Sequence, residues 1–146
     1  MIIKKIEIEF TDNFNDIRNK GVGDYIDLPD GARKIICYCK DDSDQSINYA
    51  YACMLHELYE QRITELRGIK EEDINKFDAW YNEVGFKEQP GDHPKAPYAK
   101  EHREAELIER YFIDNSNIVY LKIYDFHSIT SLTLKSWSQS RHWKSA

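Results

Sequence analysis

From about Gln45 to Leu66 the apolar residues recur at helical spacing, and Gly68 stands where a C-cap is needed. Ile47, Tyr51, Met54, Leu55 and Leu58 form one stripe. Cys53 and Ile63 add apolar surface on the other side, so the middle of this helix is apolar nearly all round. A helix of that kind needs cover on two sides. Its second side carries His56 and Glu60, one turn and ~40° apart on the helical wheel. Burying an unpaired carboxylate costs several kcal/mol or forces it to take up a proton. If that side is covered, His56 and Glu60 need partners from elsewhere in the chain.

A second strong helix is expected over Tyr98 to Asp114, with Tyr98, Ala105, Ile108 and Phe112 as its buried stripe. His102 and Glu109, seven positions apart, fall within ~20° of each other beside that stripe, and Ala105 between them lets another helix approach closely. Glu106 and Glu101 lie on either side of His102. The bland reading stands next to this one: Glu57 with Gln61, and Glu60 with Arg67 or Thr64, are ordinary pairs for a solvated helix face.

A divalent metal of the zinc type takes three or four ligands from His, Asp, Glu or Cys, and His56 and Glu60 at i, i+4 offer two on one face. His102, with Glu109 or Glu106, is the natural source of the rest. In the related HExxH pattern the glutamate after the first histidine polarises a water at the metal as general base; here that residue is Glu57. Zn is the first expectation, and a carboxylate-rich set also suits Mn or Fe.

The rest of the chain supplies the scaffold. Residues 2–10 alternate Ile2, Ile6, Ile8 and Phe10 with Lys5, Glu7 and Glu9, the period of a half-buried strand. Thr11 to Gly23 is polar and reads as a loop with one short helical turn around Asp16 to Asn19. Tyr25–Leu28 and Lys34–Cys39 form a hairpin across Pro29-Asp30-Gly31. The segment Lys40–Asp44 supplies N-cap candidates for the long helix. Glu71 to Val84 is a shorter helix with Ile74, Phe77, Trp80, Tyr81 and Val84 on one side, an aromatic stripe expected to be core. Gly85 to Pro97 is a loop with Asp92-His93 at its tip. Ile118 to Tyr124 is β-prone, although a helix capped by Ser116 or Asn117 fits too.

The expected fold is therefore α+β: a small antiparallel sheet, built from the N-terminal strand and the hairpin, against two or three helices. With 146 residues this is a single domain. Residues 1–44 are mainly strands, 45–114 carry the His/Glu runs, and 115–146 add a strand or helix and a tail. A charge of −6 with scattered Lys and Arg argues against nucleic acid. No window suits a membrane span and the start lacks a leader pattern, so the expected location is cytoplasmic. Cys37, Cys39 and Cys53 are expected to be free thiols.

His56-Glu57-x-x-Glu60, then Gly68-Ile69, then Ala96-Pro97-Tyr98 leading into Glu101-His102-x-x-Ala105-x-x-x-Glu109, resembles a group of uncharacterised phage and prophage proteins. The resemblance covers about residues 50 to 112. Strands followed by an HE-bearing helix also resemble the minimal zincin-like metallopeptidase core. That resemblance implies His56, Glu60 and His102 as ligands, Glu57 as base, a sheet edge receiving an extended peptide, and the host cytosol as location. The chain departs from it in lacking HExxH. Two other readings remain: a non-enzymatic phage accessory or inhibitor protein that binds a protein partner, and a di-metal site built from Glu57, Glu60, Glu106 and Glu109 with both histidines.

Overall fold

The computed structural model describes residues 5–18 and 21–116. In chain order these form β1 (Lys5–Thr11), β2 (Gly23–Asp27), β3 (Ala32–Tyr38), α1 (Asp44–Leu66), α2 (Glu71–Val84) and α3 (Ala99–Asn115), with 3-10 turns at Phe14–Asp16 and Pro90–Asp92. The α+β class holds. The β-prone stretch from Ile118 to Tyr124 lies outside the described residues.

The strand order is β1-β3-β2. The hairpin forms as its turn residues require: Gly31 sits at φ 82°, and the Leu28 N–H donates to the Ala32 carbonyl at 2.8 Å. The sheet is mixed, however, and not antiparallel throughout. β2 runs antiparallel to β3, with Tyr25 opposite Ile35, whereas β1 runs parallel to β3, with Ile8 beside Ile35. The cause is the connection from β1 to β2. It carries the chain past the position of β3 to the far edge, so β1 and β2 are never neighbours and β3 enters between them. A parallel pair needs such a crossover, here made by a loop and a strand. Edge placement also leaves Ile6 and Ile8 about half exposed, at 45% and 48%.

α1 begins at Ser43, whose side chain accepts from the Ser46 N–H, and closes with paired bonds from Gly68 to Glu65 and from Ile69 to Thr64. One flank of α1 rests on the sheet, where Ala50 and Cys53 meet Ile35 and Cys37. The other flank meets α3, and it too is buried: His56 and Glu60 are covered, while Tyr51 of the apolar stripe is exposed. Ala105 is fully buried, consistent with close approach of the two helices. At the end of α1, Arg67 pairs with Glu101 at 2.8 Å and with Glu104, not with Glu60. A smaller core of Ile74, Ala96, Tyr98 and Ala99 seats α2 against the start of α3. All three cysteines are free. Among the described residues no helix is long and apolar enough to cross a membrane.

Candidate metal centre

The two-sided cover demanded by α1 brings His56 and Glu60 against His102 and Glu109 of α3. His56 Nε2 lies 3.3 Å from Glu60 Oε2 and 3.2 Å from His102 Nδ1. His102 Nδ1 lies 2.8 Å from the same Glu60 oxygen. Three donor atoms thus form a small triangle, and each belongs to a buried residue. Bonds of ~2.1 Å to a tetrahedral ion would set its edges at ~3.4 Å, and octahedral geometry would set them at ~3.0 Å. The observed edges need to move by about 0.3 Å or less for octahedral geometry and by up to ~0.6 Å for tetrahedral geometry, so the residues present can hold a divalent ion.

Glu109 occupies a different place. Its Oε2 lies 3.0 Å from His56 Nδ1, the nitrogen turned away from the triangle. His102 repeats the pattern, with its outward Nε2 at 3.6 Å from Asp92 Oδ1. Glu106 forms a second potential group with Asp92 and His102. Glu57 and Glu109 belong to neither group.

The electrostatics match a centre that holds either protons or a cation. Burial works against charge on His56, but the facing carboxylates of Glu109 and Glu60 outweigh it and raise the ring well above its ordinary value. Burial likewise opposes His102, which Asp92 and Glu60 raise to about 9. Burial would lift Glu60, yet its two imidazole neighbours hold it down at about 2. The facing carboxylates thus favour protonation of both rings, and a divalent ion that displaced two protons would leave the net charge of the centre unchanged.

The triangle borders a pocket of about 120 Å³, with room for several waters. Glu57 lines the same pocket. Burial pushes its carboxyl up to about 8. Gly23, the first residue of β2, is pressed on Glu57: a Cβ there would stand 2.7 Å from Glu57 Oε1 and 2.5 Å from Cys53 Sγ. The absence of a side chain at Gly23 thus gives the Glu57 carboxyl its place. Asp78 of α2 and Tyr98 complete the far wall. The Tyr98 hydroxyl donates to Asp78 Oδ1 at 2.7 Å, and burial, opposed by that bond, raises Asp78 to about 6.

Two parts of this site are not visible in the sequence pattern. Asp78 and Tyr98 are 20 positions apart, and the helical pattern marks Tyr98 only as an apolar stripe residue. Gly23 ends a polar stretch that reads as loop. The sequence puts Asp92 at a loop tip that could reach a site, where a solvated tip is the commoner outcome; the structure brings its carboxylate to 3.6 Å from His102 Nε2. Compared with known proteins, the chain matches no family model, no curated protein and no solved structure.

Proposed function

We propose that the chain is a metal-dependent hydrolase of the peptidase type, with His56, Glu60 and His102 as the ligands of one divalent ion and Glu57 as the general base. The observation that carries the reading is the triangle of His56 Nε2, Glu60 Oε2 and His102 Nδ1 beside a pocket that also holds the Glu57 carboxyl. An ion of the zinc type would supply Lewis acidity toward a carbonyl and toward water. Zn is the first choice, and Mn or Fe also suit two histidines and a carboxylate. Glu109 serves as the partner that orients His56, the usual task of a carboxylate on the outer nitrogen of a ligand histidine.

Glu57 supplies proton handling. Burial disfavours its anion and raises the carboxyl to about 8 in the metal-free protein. With a dication held by His56, Glu60 and His102, Glu57 would ionise more readily, accept a proton from water and pass it to a leaving amine. Substrate enters beside β2, the edge strand whose residues Gly23 to Tyr25 border the pocket. An extended peptide laid along such an edge meets the pocket side-on. The zincin likeness, the phage or prophage origin and action in a host cytosol belong to the same proposal.

The test is a pair of measurements on zinc-loaded protein with extended peptide substrates. Glu57→Gln is expected to keep its ion and lose at least ~100-fold in rate, the usual share of a general base. Unchanged rate in Glu57→Gln would remove the base assignment. One bound ion with no hydrolysis by the wild type would favour the alternative, a non-enzymatic binding protein in which the ion is structural.

A further inference from the structure

Each histidine of the triangle uses one ring nitrogen there and turns the other toward a carboxylate on a different element. For His56 that contact is made, at 3.0 Å from Glu109. For His102 the outward Nε2 is buried without a hydrogen-bond partner among the described residues, and the Asp92 carboxylate stands 3.6 Å away. A ring that offers its Nδ1 lone pair to an ion carries its proton on Nε2, and a buried N–H without an acceptor is costly. A shift of ~0.7 Å brings Asp92 into the ~2.9 Å range of a charge-assisted hydrogen bond.

The turn that carries Asp92 is built against this ring. Pro90 opens the 3-10 turn. Gly91 lies so close to the imidazole that a Cβ there would fall 2.3 Å from His102 Cγ and 2.6 Å from Nδ1. On its other side the turn is pinned by His93, whose ring packs among Phe77, Trp80, Tyr81 and Phe86 at centroid distances of 5.4–6.0 Å. The aromatic face of α2 thus anchors the turn, and the turn backs the histidine.

We propose that Asp92 is the positioning residue of the centre, accepting the Nε2–H of His102 and so fixing the tautomer that presents Nδ1 to an ion. The proposal rests on the assignment of His56, Glu60 and His102 as ligands. It adds that the Pro90-Gly91-Asp92 turn, and not α3 alone, sets the geometry of His102.

The experiment titrates wild type, Asp92→Asn, Asp92→Ala and Asp92→Glu with Co(II) and Zn(II), reading stoichiometry, Kd and the visible Co(II) spectrum. Melting of the metal-free proteins serves as the folding control. The wild type is expected to bind one ion. Asp92→Asn and Asp92→Ala should bind one ion ~10–100-fold more weakly with an altered Co(II) spectrum, and Asp92→Glu should recover much of the loss. Affinities and spectra equal to wild type in both Asn and Ala variants would overturn the proposal while leaving the ligand assignment standing. Two ions per wild-type chain, falling to one in Asp92→Ala, would also overturn it, because Asp92, Glu106 and the outer nitrogen of His102 would then be ligands of a second ion. A wild type that binds no ion would remove the ligand assignment and this inference with it.

Discussion

His56 Nε2 and His102 Nδ1 lie 3.2 Å apart although 46 positions separate them in the chain. Two imidazoles at that distance, with one Glu60 oxygen against both, are held by the packing of α1 on α3 around Ala105. The pair is therefore a readout of helix docking as well as of the site.

Glu60 and Glu109 both face His56, but from opposite nitrogens, and substitution should separate their roles. Glu60→Gln is expected to abolish stoichiometric metal binding. Glu109→Gln should keep one ion and weaken it ~10–100-fold, as loss of an orienting carboxylate does. Competition with a chromophoric chelator measures both. Equal losses in the two variants would make Glu109 a ligand.

Gly23 is expected to tolerate no side chain. In Gly23→Ala the new methyl would enter the space of Cys53 Sγ and Glu57 Oε1, a crowding that costs ~1–3 kcal/mol. Thermal melting should show a drop of several degrees. Combining it with Cys53→Ala, which removes the nearest atom, should recover part of that loss. A single variant that melts with wild type would show that β2 sits farther from α1.

Asp78 makes stability depend on pH in a defined window. Burial raises its folded value to about 6 from an ordinary 3.8, so the folded state binds the proton more tightly than the unfolded chain does. That contribution is complete below the unfolded value and is lost as pH rises through about 6. Metal-free wild type should therefore lose stability relative to Asp78→Asn between pH 4 and pH 7. Urea unfolding of both proteins at the two pH values measures the difference, and a constant gap would contradict the burial of an ionisable group at this position.

Much of this arrangement was legible in the sequence because it depends on local rules. The span of α1, an N-cap within Lys40–Asp44, its end at Gly68, the Pro29-Asp30-Gly31 hairpin and the His/Glu faces of two helices all follow from spacing and turn chemistry. The demand for a second cover over His56 and Glu60 followed from the apolar girth of α1, and α3 supplies that cover. The direction of β1 was not legible, since alternation fixes which residues share a face and says nothing about which way a neighbouring strand runs. The Tyr98–Asp78 bond and the approach of Asp92 to His102 were not legible either. Each joins two elements at a distance set by tertiary packing, and neither residue type signals its partner.

The most direct test of the central claim is the metal content of the mildly purified wild type, followed by zinc titration of wild type, His56→Ala and His102→Ala. One equivalent in the wild type, and less than about a tenth in either alanine variant, is the result expected of a site with three protein ligands. A wild type that takes up no zinc, or alanine variants that bind it as well as wild type does, would contradict the claim and leave the cluster as a buried ion-pair network between α1 and α3.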